Sequence, residues 1–389
     1  MQEIVHGIGH LRDVIGARAA GGKVLLVTDA SYPFLSIKND VEALPIQAVP
    51  FSGFTSNPVF EDVCQGVRLC LDEGCDAILA IGGGSAIDVA KCIKLAVLAE
   101  AGIRSLIPPL VSSRVAADGS RLPLIAIPTT AGTGSESTHN AVMYYEDAKQ
   151  TVTNDAILPD VALLEPAVLQ TLPLYQKKCT LLDALCQGIE SWWSVHSTDE
   201  SKGYARTAVE TIVAHADDYL TRGDAAAAAH IMLAANYAGR AINISATTAP
   251  HAMSYKLTSL YHLPHGHAVA LCLPEVWDYM LAGADACSDP RGPSYLLRTF
   301  DDIAHAMRCS SPAEAVVWFR TLLEKLEMGR PQSTRPDEEL TLLSRSVNPV
   351  RLRNNPVPID ETQARTLYAA ILAPTAQLKI ENLGLTFNV

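Results

Sequence analysis

AILAIGGGSAIDVAK, residues 77–91, is the stretch on which the reading of this chain turns. An apolar, β-rich run goes straight into Gly82, Gly83 and Gly84, and Ser85 is placed to cap the helix that follows. Glycines there let backbone approach a phosphate, while free N–H groups and the helix dipole supply positive potential. The motif is neither G-x-G-x-x-G nor a Walker A, so a plain strand-to-helix turn stands as an equal alternative.

Working outward, KVLLVTD (23–29), LPLIAIPTT (122–130), AVMYY (141–145) and VALLEP (161–166) read as further strands. Between them, EDVCQGVRLCLDEG (61–74) and SAIDVAKCIKLAVLAEAG (85–102) have helical spacing. Apolar strands alternating with helices predict a parallel sheet covered on both faces. After Pro166 the texture changes. Segments 181–195, 201–220 and 312–326 repeat apolar residues at three- and four-residue spacing, and strand-like runs nearly vanish. The expectation is an α/β dinucleotide-binding domain over 1–168 and an all-helical domain over 169–389, joined near 166–173.

Composition agrees with a folded soluble protein: 48% of the 389 residues are hydrophobic and 19% charged. A formal charge of −12 with no basic tract argues against nucleic acid and anionic membrane. The nine cysteines form no C-x-x-C pair, which fits reduced, buried thiols and a cytoplasmic setting better than a disulfide framework. The N-terminus lacks the pattern of a signal peptide, and no stretch reads as a membrane span.

IPTTAGTGSES (127–137) is a second Gly/Thr-rich turn after an apolar strand, and two such loops on neighbouring parallel strands suit a dinucleotide crevice. Asp29 closes its strand where an acidic side chain can take a ribose hydroxyl and repel a 2′-phosphate, favouring NAD(H) over NADP(H). A strand-terminating turn residue is the plainer reading. In the helical half, Asp183 and Gln187 are four apart and share a helix face. His251 and His265 lie downstream, and a helix over 249–261 must turn back near Pro264 to bring both imidazoles to that face. One Asp with two or three N/O ligands suits a catalytic Fe²⁺ or Zn²⁺. Taken on spacing alone, ordinary core or surface histidines fit as well, and His262 and His267 dilute the pattern.

Together, AIGGGSAIDVAK (80–91), IPTTAGTGSES (127–137), DALCQGIES (183–191) and HAMSYKLTSLYHLPHGHA (251–268) resemble the iron-containing (group III) alcohol dehydrogenases. RNNPVPIDETQARTLYAAIL (353–372) resembles that family's closing segment. The resemblance implies a dehydroquinate synthase-like two-domain fold. It assigns Gly82, Gly83, Gly84 and Ser85 to the pyrophosphate, with Asp88 following them. Thr129, Thr130, Thr133 and Ser135 fall on the second cofactor loop, Lys149 on a lysine near the nicotinamide ribose, and Asp29 on the position tied to NAD preference. Asp183, His251 and His265 fall on metal ligands.

Two positions depart from the family. Gln187 replaces the usual histidine ligand; as a fourth ligand its oxygen is a weaker donor that favours a different or looser metal, and the alternatives are a three-residue site, as in glycerol dehydrogenases, or a metal-poor one, as in maleylacetate reductases. Tyr255 replaces a histidine near the nicotinamide, so Tyr255 and His262 become the candidates for proton delivery. DALCQGIES (183–191), TTAPHAMSYKLTSLYHLPHGHAVALCLPEVW (247–277) and VNPVRLRNNPVPI (347–359) together resemble the branch that reduces phosphonoacetaldehyde to 2-hydroxyethylphosphonate. An anionic aldehyde needs cations at its pocket, and Lys256, Arg240, Arg351 and Arg353 are the candidates. Sulfoacetaldehyde or plain short aldehydes are the alternatives, followed by a non-redox lyase of the dehydroquinate synthase type and a nucleotide-binding sensor. A homodimer or higher homo-oligomer is expected.

Overall fold

Strand β4 (Ala77–Gly82) is buried along its whole length, and so is β5 (Leu124–Pro128) beside it. Both are apolar on both faces, as strands in the middle of a parallel sheet must be. The computed structural model describes residues 2–19, 22–99, 102–107, 122–146 and 148–373. The chain divides into two compact units, Met1–Leu172 and Pro173–Val389.

In the first unit, β1 (Glu3–His6), β2 (Lys23–Thr28), β3 (Gln47–Phe51), β4, β5 and β8 (Val161–Leu164) form one six-stranded sheet in the order β1-β8-β5-β4-β2-β3. Every neighbouring pair is parallel. Helices α1 (Leu11–Ala19), α2 (Lys38–Glu42), α3 (Phe60–Glu73) and α4 (Gly84–Leu98) connect the strands. The chain leaves β2 toward β3 and then crosses back to β4 on the other side of β2. That reversal puts a topological switch point between the C-terminal ends of β2 and β4, where open α/β sheets take their ligands. Asp29 and Gly83 flank it.

Two features differ from the sequence expectation. The run 141–145 belongs to β6 (Asn140–Tyr145), which pairs antiparallel with β7 (Ala148–Thr153) in a separate hairpin. Strands β1 and β3 escaped notice because both lie at sheet edges, are largely exposed and carry little apolar alternation. Pro50 is tolerated in β3 for the same reason, since an edge strand leaves one side of its ladder unused. The unit boundary falls at Leu172/Pro173 because the turn Pro166–Thr171 stays with the first unit, where the Glu165 carboxylate accepts from Ile8 N at 2.8 Å.

The second unit contains α5 (Leu174–Trp193), α6 (Asp199–Asp217), α7 (Ala225–Ser245), α8 (Ala249–Tyr261), α9 (His265–Ala282), α10 (Pro293–Ala306), α11 (Pro312–Lys325), α12 (Pro336–Ser346), α13 (Pro349–Leu352) and α14 (Glu361–Leu372). Its core centres on Trp193, Trp277 and Phe300, whose rings meet edge-on or tilted at 5.4–6.2 Å. All nine thiols are free, seven of them buried. Among the described residues, no helix is long and apolar enough to cross a membrane.

Candidate metal centre and cofactor loops

The glycine loop in the first unit is tight because its neighbours leave no room for side chains. A Cβ on Gly82 would stand 2.5 Å from Asp29 Oδ2, and one on Gly84 would stand 2.9 Å from Thr133 Cγ2. Gly83 caps α4 and has no side chain of its own to close the helix end, so the N–H groups of the first turn beyond it keep their positive potential for an anion. Ser85 was expected as the cap; instead it sits inside the first turn, and its hydroxyl donates to Ser56 O at 2.5 Å. Asp29 accepts from Gly83 N at 2.9 Å and from Ser31 N at 2.9 Å, which fixes its carboxylate at the lip of the loop. Thr129 N donates to Gly82 O at 3.0 Å, and Thr130 lies 3.7 Å from where a Gly83 Cβ would be. The two loops therefore form one surface at the α4 N-terminus, with the Gly83 N–H held by Asp29.

Asp88 is half-buried, and its carboxylate accepts from Ser135 Oγ at 2.6 Å and Val142 N at 2.9 Å. Lys91 is fully buried and donates to Ser135 Oγ, Thr138 Oγ1 and Asn140 O at 2.7–3.1 Å. Burial pushes the Lys91 ammonium down to about 8, opposed by the charges of Asp88 and Glu136. The Asp88 carboxyl is raised by burial against the pull of Lys91, Ser135, Val142 and Lys149.

In the second unit, α5 carries Asp183, Gln187 and Glu190 on one buried face, and α8 presents His251. The chain then reverses at His262, whose φ of 54° ends α8, and Pro264 starts α9 with His265 as its first residue. That reversal puts ligand atoms of Asp183, His251 and His265 within 4.8 Å of one another. His251 Nε2 lies 3.2 Å from Asp183 Oδ1, while its Nδ1–H donates to Glu190 Oε1 at 2.5 Å. Glu190 also accepts from Thr248 N at 2.8 Å and Thr248 Oγ1 at 3.0 Å. A carboxylate holding the outer nitrogen of a histidine is the usual support for a metal-binding imidazole. Two buried donors, Asp183 and His251, with the half-buried His265 suit a catalytic divalent ion with a position left open, so these residues fit a metal.

Electrostatics agree. Burial would raise Asp183, but the hydrogen bond of His251, the charge of His265 and the hydrogen bond of Gln187 hold it below the usual carboxylate range. Burial would lower His251, yet Glu190 and Asp183 lift it to about 9 in the metal-free protein. Gln187, the candidate fourth ligand, bonds to Asp183 and steadies that carboxylate. Tyr255 stacks on His265, ring centroids 5.7 Å apart and planes 8° off parallel. Arg351 donates to the Tyr255 hydroxyl at 3.0 Å. Burial raises the Tyr255 hydroxyl and the Arg351 charge opposes it.

Both units match known proteins. The profile described as iron-containing alcohol dehydrogenase matches residues 2–166, and that of the family's C-terminal part matches residues 178–372. The chain belongs to the iron-containing alcohol dehydrogenase family. A phosphonoacetaldehyde reductase from Streptomyces viridochromogenes is 34% identical over 300 residues, 73% of each chain. A probable alcohol dehydrogenase, EutG of Escherichia coli, is 35% identical over 231 residues, 57% of this chain and 56% of that one. A sulfoacetaldehyde reductase from Bifidobacterium kashiwanohense, solved with NAD⁺, shares the fold at a TM-score of 0.82 and 24% identity, covering 96% of this chain and 97% of that one. As a member of this family, the protein is an oxidoreductase.

Within this alcohol dehydrogenase the other expected residues scatter. His262 is exposed in the α8–α9 turn, and what it visibly contributes is the left-handed backbone. His267 is structural: Nε2 donates to Gly329 O at 2.9 Å, Nδ1 accepts from Tyr175, and burial lowers its pKa. Arg240 was expected at the substrate. Its guanidinium instead donates to Tyr204 at 2.5 Å and lies over that ring. Arg353 is exposed at the end of α13, and Lys256 is half-buried on α8. Lys149 sits half-buried on β7, opposite Tyr144. Glu190 was missed, although its position seven after Asp183 on the same helix face was the signal.

Proposed function

We propose that this protein uses NAD(H) to reduce a short anionic aldehyde to its primary alcohol, with phosphonoacetaldehyde to 2-hydroxyethylphosphonate as the first candidate. The carrying observation is the Arg351–Tyr255–His265 stack, which sets a cation one side chain away from a metal-ligand position. When bound, a nicotinamide would supply the hydride and a divalent metal, Fe²⁺ or Zn²⁺, would supply Lewis acidity for the carbonyl. Asp183, His251 and His265 would hold that metal, with Glu190 and Gln187 orienting the first two. Gly82–Gly84, Ser85 and the α4 N-terminus would take the pyrophosphate, and Thr129, Thr130 and Thr133 would line the second loop. Asp29 would accept from the adenosine ribose and repel a 2′-phosphate, which supports NAD(H) over NADP(H).

Arg351 would pair with the phosphonate, and its hydrogen bond keeps the Tyr255 hydroxyl oriented as a proton donor toward the new alkoxide. Lys256 remains a second candidate for the anionic tail. The similarity to the Streptomyces reductase over most of both chains supports this reading. The test is NADH and NADPH oxidation by metal-loaded enzyme with phosphonoacetaldehyde, sulfoacetaldehyde, lactaldehyde and propanal. A preference for the charged aldehydes is expected. Equal kcat/KM on charged and uncharged substrates overturns the anionic-substrate assignment. A homo-oligomer is part of the same proposal, and light scattering checks it.

A further inference from the structure

We propose that Asp88 and Lys91 form a clamp, bridged by Ser135, that locks the two cofactor loops into one geometry, making both of them positioning residues for NAD(H). The inference rests on the cofactor reading above. Asp88 and Lys91 are three apart on α4, four and seven residues after Gly84, so both leave the same face of the helix that the glycine loop begins.

Ser135 joins them. Its hydroxyl donates to Asp88 Oδ1 at 2.6 Å and accepts from Lys91 Nζ at 3.1 Å. The remaining Lys91 donors go to Thr138 Oγ1 at 3.0 Å and Asn140 O at 2.7 Å, while Asp88 Oδ2 takes Val142 N at 2.9 Å. An ammonium has three donors, and each has found its acceptor. Segment 135–142 is thus fastened to α4 along its length. Just upstream, Ser135 N donates to Thr133 Oγ1 at 3.2 Å, and Thr133 in turn lies against Gly84. At the other end of the loop, Thr129 N holds Gly82 O. Loop 129–134 is pinned at both ends to the element that carries the first loop.

A pair of opposite charges bridged by a hydroxyl inside a protein is a poor device for stability alone, since apolar residues of similar bulk are often as stable. It is a good device for fixing one arrangement, and a preformed cradle binds its ligand more tightly because less ordering is left to do. The clamp therefore acts on the cofactor through Ser135.

The test compares wild type, the double variant Asp88→Asn/Lys91→Met, and Ser135→Ala. The double variant removes both charges at nearly constant volume; Ser135→Ala removes the bridge and serves if the double variant does not fold. Measured are the NADH Kd by fluorescence titration, the Zn²⁺ affinity, the melting temperature and KM against kcat. NADH affinity is expected to fall by about tenfold or more, the worth of one charge-assisted hydrogen bond. The KM for NADH should rise in step, while Zn²⁺ affinity and kcat at saturating NADH stay near wild type. A folded variant whose NADH Kd stays within twofold of wild type overturns the clamp. If wild type itself binds no NADH, the cofactor reading fails, and the clamp falls with it.

Discussion

Replacing Gly266 with alanine should dismantle the metal centre without altering any ligand. The first turn of α9 lies so close to α5 that a Cβ on Gly266 would stand 2.0 Å from Cys179 O and 2.9 Å from Asp183 Cβ. Cβ contacts essentially never fall below 3.0 Å, and the Cys179 oxygen is backbone in a buried helix, so the turn must retreat by about 1 Å. His265 precedes Gly266 and moves with it. Metal–ligand distances tolerate only about 0.2 Å, so such a retreat removes His265 from the first coordination sphere. Overpacking of this kind costs about 1–3 kcal/mol, which in a unit of this size lowers Tm by about 2–12 °C. Zn²⁺ affinity, read by competition with a chromophoric chelator, should fall at least about tenfold. Gly203→Ala is the matched control, because nothing lies within 4 Å of its Cβ position on α6. That variant should bind Zn²⁺ as wild type does and melt no lower. If Gly266→Ala kept wild-type Zn²⁺ affinity and Tm, the close approach of α9 to α5 would not be what places His265.

Three further outcomes follow from the same geometry. Glu190→Gln should weaken Zn²⁺ binding by about 10–100-fold, because His251 loses the carboxylate that fixes its tautomer and aim; calorimetric titration reads this directly. Arg351→Met should lower kcat on both aldehydes, because Tyr255 loses its orienting partner, but raise KM by about 10–100-fold for phosphonoacetaldehyde alone; a matching KM rise for propanal would place Arg351 outside substrate recognition. Asp29→Asn should raise the NADPH:NADH ratio of kcat/KM by about tenfold, the worth of relieving one charge repulsion; an unchanged ratio would return Asp29 to a plain turn role.

The α/β unit was legible because its central strands are apolar on both faces, and burial of β4 and β5 on both sides is what that composition demands. The edge strands β1 and β3 were not, since half-exposed ladders place few demands on side chains. Helical periodicity located α8 at its observed bounds, and Pro264 correctly marked the reversal. Spacing could not say which neighbours of the ligands would bear on the site. Glu190 and Arg351 reach it through contacts 61 and 96 residues apart in sequence, whereas Arg240 is drawn off to Tyr204.

The sequence by itself determined the layered architecture, the glycine loops and the identity of three metal-ligand candidates, because these depend on local pattern and on residue chemistry. Only the tertiary structure decided what each polar residue does once placed. It turned Asp88 inward to Ser135, gave Gln187 to Asp183, left His262 in the turn and put Arg351 on Tyr255. The physical reason is that a buried polar group must find a partner wherever the fold puts it, and those partners come from distant segments that no local pattern records.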